Sequence, residues 1–267
     1  MRGALVVAAE ALQGFARQKL FLALVVITLG GSCLFAYFVS WQEQTFQTAQ
    51  SQKLEDLSSE GRKVSKADME EGLDQMRSFE QAMFFGGTSF CGTLIALVLF
   101  STIVATPLRR GEVRGVLIRP LRRSSYVFGR CLAAVAALAL YWAMMSLVLL
   151  IFSQIVHTPL APVAHYAAPL FFCKGVMTGC IALAFSVFMR PAFAAPIAFF
   201  ASSDWVSSNG LLYYLLPGDD RLGTALQILH GTVLAPKDLA LALAYALTVA
   251  AAALWLTILR FERVDLT

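Results

Sequence analysis

Charge is scarce in this chain of 267 residues, where Asp, Glu, Lys and Arg together make up 14%. Ordinary soluble domains carry roughly 25%. Apolar residues make up 58%, more than a water-soluble core of this size can bury, because the buried fraction grows slowly with mass. This balance excludes a water-soluble enzyme, a disordered segment and a fibrous repeat. A Gly-x-x-x-x-Gly-Lys-Ser/Thr stretch is also missing, so the chain brings no phosphate-cradling loop of its own. Its cysteines, at 33, 91, 131, 173 and 180, include no Cys-x-x-Cys and read as small apolar residues. A membrane-embedded enzyme would need a convergent Ser/His pair, paired carboxylates or metal ligands within the apolar runs. Those runs hold one Asp and no His, since His157, His165 and His230 fall between them.

What the chain does have is long apolar runs. A helix crossing about 30 Å of hydrocarbon needs roughly 20 apolar residues. Six runs qualify: 20–41, 83–106, 131–156, 166–189, 191–216 and 239–259. They are continuous rather than alternating, which predicts helices and not a barrel. The fold class expected is an all-α integral membrane protein of six transmembrane helices, forming one domain over 1–267.

Charge sets the orientation. With the N-terminus inside, the inner segments hold thirteen basic and four acidic residues, and the outer segments seven and thirteen. Lys174, within a run, completes the 21 basic and 17 acidic residues of the chain. Basic residues gather on the cytoplasmic side of membrane proteins, so both termini are expected there. Residues 1–19 do not read as a signal peptide, because Glu10 cuts the apolar stretch short. Leu5, Ala8, Leu12 and Phe15 instead recur at helical spacing, with Glu10, Gln13 and Arg17 on another face. That pattern predicts a helix lying in the membrane interface.

The outer segment 42–82 is net acidic. Ser65 and Asp68 have capping-box-like spacing, and Met69, Leu73, Met76, Phe79 and Met83 follow periodically. A helix should start outside and run into the second span, with a partner helix around Phe46, Leu54 and Leu57.

The stretch 107–130 is the most informative. Pro107 should end the second span, since proline lacks the N–H and clashes with the preceding turn. A short helix is expected around 112–118, ended by Pro120. The segment holds seven arginines, and planar multi-donor guanidinium suits acidic protein surfaces and phosphates. From composition alone, an acidic protein partner and an anionic lipid surface both fit.

The order of residues resembles the cytoplasmic loop of ABC-2 type transporter permeases. Gly111 takes the glycine position of that pattern, Val116 to Ile118 the apolar run, and Arg119-Pro120-Leu121 the Arg-Pro element. Arg123 takes the next basic position, and Tyr126, Gly129 and Arg130 close it. Glu112 stands where Thr is usual, and Pro107 where an acidic residue is common. The ending Arg260-Phe261-Glu262-Arg263-Val264-Asp265 is similar to endings common in the family, and small permeases of copper-processing and nitrous-oxide-reductase maturation systems look nearest. The resemblance implies a permease subunit of an exporter in the bacterial inner membrane, not itself an enzyme and without a cofactor of its own. It implies a separate ABC ATPase subunit holding ATP and magnesium, a second permease copy as partner, membrane lipids around both, and no nucleic acid. The 107–130 loop would be the coupling element, with Arg110, Gly111, Glu112, Arg114, Arg119, Pro120 and Arg123 as its working residues. A non-transporting membrane scaffold is the alternative.

Lys174 and Asp204 are the ionisable groups inside apolar runs, where charge is costly and usually paired or functional. Counted from the inner ends of their spans, both lie roughly 21–23 Å up at 1.5 Å per residue, which predicts an ion pair. The fifth run is broken by Ser202, Ser203, Ser207, Ser208, Asn209 and Gly210. Broken helices line cavities or pack in protein, so this run is a candidate translocation path, and re-entrant helices between 211 and 236 are the alternative. Gly175 and Gly179 form a Gly-x-x-x-Gly that permits close helix approach, read as internal packing.

Overall fold

The computed structural model describes residues 2–16, 23, 26–31, 33, 34, 37, 48, 66–109, 122–156, 162–202 and 236–263. Among the described residues every regular element is a helix. In chain order these are α1 (Arg2–Ala16), α2 (Lys66–Ile103), α3 (Ala105–Arg109), α4 (Arg123–Val156), α5 (Pro162–Phe188), α6 (Pro191–Ala201) and α7 (Pro236–Glu262). Four stretches are long and apolar enough to cross a membrane: Gly86–Leu108, Arg123–Ile151, Ala167–Phe188 and Lys237–Glu262. The chain is a helical, membrane-embedded protein.

These four match the second, third, fourth and sixth expected runs. The described residues of the first run are helical, and Leu29 packs against the core. The fifth run is helical over Pro191–Ala201 only, 11 residues, with Ser202 as C-cap donating its N–H to the Ala198 carbonyl at 3.0 Å. Its remainder, 203–216, lies outside the described residues, as do the expected partner helix upstream of 66 (Thr48 apart, which is helical), the short helix at 112–118 and any element between 211 and 235.

Two boundaries differ from expectation. Pro107 does not end the second span. The helix breaks at Val104 and resumes as α3 through Pro107. A proline's missing N–H and its ring disturb the turn before it, and the Leu108 N–H then regains the Val104 carbonyl at 3.2 Å. The third span begins not at 131 but at Arg123, so the last residues of the 107–130 segment are the first two turns of α4. Ser124, Ser125 and Tyr126 raise no helix-breaking conflict there. At its other end α2 runs without interruption from Lys66 into the apolar stretch that begins at Gly86, the continuity expected of this segment.

Central in the bundle is α5, which packs against α2, α4, α6 and α7. Small residues make this possible. A Cβ at Gly179 would lie 2.6 Å from Phe100 Cδ2 on α2, and one at Gly175 would lie 3.0 Å from Leu138 Cδ2 on α4. The Gly-x-x-x-Gly therefore serves packing within the chain. Gly92 on α2 seats the Tyr141–Trp142 pair of α4, its missing Cβ standing 2.9 Å from Tyr141 Cε1. Tyr141 donates its hydroxyl to the Thr88 carbonyl at 2.9 Å, and Trp142 stacks on Phe171 of α5 at 5.8 Å and 11°. In contrast, α7 keeps Leu241, Leu247, Trp255 and Leu256 exposed, as a lipid-facing helix does.

Candidate functional site

Both flanks of the basic segment open at one end of the bundle. There α3 ends at Arg109 and α4 begins at Arg123, beside the α5–α6 turn at Met189 and Arg190 and the last turn of α7. Side chains close this end. Arg123 Nη1 donates to the Glu262 carbonyl at 3.1 Å. Tyr126 stacks on Phe261 with centroids 5.9 Å apart and planes 15° apart, and each is 1% exposed. The Arg130 guanidinium lies 5.3 Å from the Tyr126 ring centroid, and that of Arg260 5.4 Å from the Phe188 ring. Guanidinium over an aromatic face is held by the ring quadrupole.

The local sequence explains the arrangement. Arg123, Tyr126 and Arg130 stand at i, i+3 and i+7 and so share one stripe of α4. Phe261 follows Thr257 and Ala253 on the buried face of α7. The result is a joint of α4, α5 and α7 at which Arg122, Arg123, Arg130, Arg190, Arg260 and Arg263 gather with Glu262. Positive charge is concentrated at the end from which the basic segment emerges.

Helix α1 lies on α4 at the same end. A Cβ at Gly129 would come 2.5 Å from the Ala4 carbonyl oxygen and 3.0 Å from Val7 Cβ. The face turned to α4 is Ala4, Val7, Ala8 and Ala11, all buried, while Leu5, Val6 and Leu12 are exposed, as are Glu10 and Gln13. The helix thus has a third face that the apolar-polar pattern alone did not separate: small residues against protein, larger apolar ones and polar ones elsewhere.

Of the predicted coupling residues, Arg123 is placed as described. Arg110, Gly111, Glu112, Arg114, Arg119 and Pro120 lie outside the described residues, and so does Asp204. Lys174 is half-buried on α5, one turn before the buried Thr178. His165 falls in the first turn of α5 rather than in a loop. The five cysteines are free, and Cys131 on α4 and Cys180 on α5 are both buried. Sequence reasoning did not pair Tyr126 with Phe261, Arg260 with Phe188 or Gly129 with α1. The signal for the first was present, as each aromatic sits in one of the two basic motifs, but nothing in a linear pattern joins residues so far apart.

Comparison with protein-family models, curated proteins and solved structures yields no match.

Proposed function

We propose that this chain is the permease subunit of an ABC-2 type exporter. It moves a substrate outward across the bacterial inner membrane when a separate ATP-binding subunit, docked on the 107–130 segment, hydrolyses ATP. A second permease copy completes the pathway, and both termini lie in the cytoplasm.

One observation carries the reading most of the way. The basic segment is joined directly to the far end of the chain, through Arg123 to Glu262 and through Tyr126 to Phe261. A push on that segment is therefore delivered to α4 and α7 together, and α5 lies against both. Such a joint is what a driven permease requires, because a partner can shift a conformational equilibrium only through contacts that differ between states. The arginine-rich end gives an acidic face of the partner something to bind, and the same charge makes it the cytoplasmic side. The exposed Leu5 and Leu12 of α1, with Glu10 and Gln13 on another face, suit a helix lying at that boundary.

The test is purification of the tagged chain from its native membrane in mild detergent, with identification of co-purifying proteins by mass spectrometry. Arg123 also holds α7, so the informative variant is Arg114→Glu/Arg119→Glu, which leaves that joint intact. A P-loop ATPase recovered with the wild type and lost with the variant is the expected result. A well-folded wild type that brings down no ATPase sinks the proposal.

A further inference from the structure

Two of the four apolar stretches, Ala167–Phe188 on α5 and Lys237–Glu262 on α7, end beside one another. They meet through the Arg260 guanidinium, which lies over the Phe188 ring at 5.4 Å from its centroid. An arginine at the end of a span ordinarily keeps its head in water and lays its stem on apolar surface. Here the head rests on a ring that is itself 62% exposed, so the pair stands on the outside of the bundle. Among the described residues the Arg260 side chain makes no hydrogen bond or ion pair, and its donors remain available.

The surroundings fall into a charged layer and an apolar one. Leu256, Arg260 and Arg263 stand at i, i+4 and i+7 and so share one stripe of α7, and all three are exposed. Arg190, two residues beyond Phe188, is exposed as well. Three arginines therefore border the seam between α5 and α7 where the apolar stretches stop. Glu262 lies about 200° around the helix from Arg260, on the side where its carbonyl meets Arg123 of α4, and so stands away from this stripe. About 6 Å further in comes Leu256, and Ala252 beyond it is exposed too. On α5, Ala184 and Phe185, one turn inward of Phe188, are half-buried. Of the four stretches that of α7 is the least buried, so this side of the seam meets lipid.

We infer that the seam between the ends of α5 and α7 holds an anionic phospholipid, its headgroup phosphate on Arg260 and an acyl chain along Phe188 and Leu256. Guanidinium presents paired donors matched to phosphate oxygens. Contact with Phe188 restricts the side chain beforehand, which lowers the ordering cost of binding. Arg190 and Arg263 add the positive charge that ranks an anionic headgroup above a zwitterionic one. An acidic protein could meet the arginines but not the apolar side chains about 6 Å deeper, whereas a lipid meets both. Neither Arg260 nor Phe188 belongs to the 107–130 segment, so the site is separate from the proposed ATPase contact and does not depend on transport.

The full chain in mild detergent is titrated with palmitoyl-oleoyl phosphatidylglycerol and with the phosphatidylcholine of the same chains, and native mass spectrometry counts the lipids bound. The first phosphatidylglycerol should bind roughly tenfold more tightly than phosphatidylcholine, the scale of one charge-assisted hydrogen bond. Arg260→Gln should remove that preference. Phe188→Leu, which keeps every charge, should weaken phosphatidylglycerol about two- to fivefold, as loss of an exposed cation–π contact does. Arg122→Gln, which removes equal charge from an exposed position at the start of α4, should bind as the wild type does. Equal affinity for the two lipids overturns the inference, and so does equal weakening by Arg122→Gln and Arg260→Gln, because the general positive field would then account for binding. Displacement of the lipid by an equal concentration of a glutamate-rich peptide also overturns it and assigns these arginines to an acidic protein face. Should Arg260→Gln not fold, the wild-type preference, the peptide competition and the Phe188→Leu titration decide the matter. Selective phosphatidylglycerol binding by a chain that recovers no ATPase would sink the transport reading and leave this site in place.

Discussion

Arg123 at the first turn of α4 donates to the main-chain carbonyl of Glu262 at the last turn of α7, 139 residues further along the chain. Because the acceptor is backbone, the contact fixes where α7 ends rather than which side chain ends it. Beside it, Tyr126 and Phe261 stack, so the joint has both a polar and an apolar half.

The aromatic half can be measured as a pairwise term. Tyr126→Leu and Phe261→Leu should each lower the thermal stability of the purified protein in detergent. The double variant should fall short of their sum by about 0.5–1.5 kcal/mol, the coupling of an aromatic pair. Strict additivity would show that the rings are only neighbours.

Gly179 stands against Phe100 so closely that one methyl group is too many. Gly179→Ala should destabilise by about 1–3 kcal/mol, the usual cost of overpacking. Phe100→Leu should recover part of that loss in the double variant, and Gly14→Ala, where a Cβ meets nothing within 4 Å, should show no such cost. Detergent melting curves of the four proteins check this.

At Gly129 the obstacle is the Ala4 carbonyl, which cannot rotate away. Gly129→Leu should therefore detach α1 while the spans stay folded. An Ala8→Cys reporter, buried in the wild type, should then react with a water-soluble maleimide many times faster. Unchanged labelling would mean that α1 stays in place.

The proposed pairing of Lys174 with Asp204 has its own test. Lys174→Cys and Asp204→Cys, combined in a background without the native cysteines, should crosslink on mild oxidation. A folded protein that gives no crosslink counts against the pair.

Much of the architecture was readable from hydropathy, because a lipid environment demands long apolar helices with every backbone group satisfied inside. The runs at 83–106, 131–156, 166–189 and 239–259 all became helices, and the helix beginning near Ser65 followed from side-chain spacing. What periodicity could not supply was contact between distant turns. The three-sided character of α1 depends on Gly129, and the joint at Arg123 depends on the place where α7 happens to stop. Pro107 misled for a local reason: its effect falls on the turn before it, so the break came at Val104 and the helix went on. That Arg130 Nε, Trp142 Nε1 and Thr178 Oγ1 meet no hydrogen-bond partner among the described residues had no sequence signal, since being without a partner is a property of surroundings.

The uninterrupted course of α2 has a mechanical meaning. Its 38 residues make a rod about 57 Å long, nearly twice the hydrocarbon thickness. Hinged where it breaks at Val104, such a rod moves its far tip by about 1 Å for each degree of tilt. A rearrangement too slight to notice beside the arginines would be magnified at the opposite end of the rod, and a spin label near Lys66 would act as the pointer of a gauge whose spindle lies at Val104.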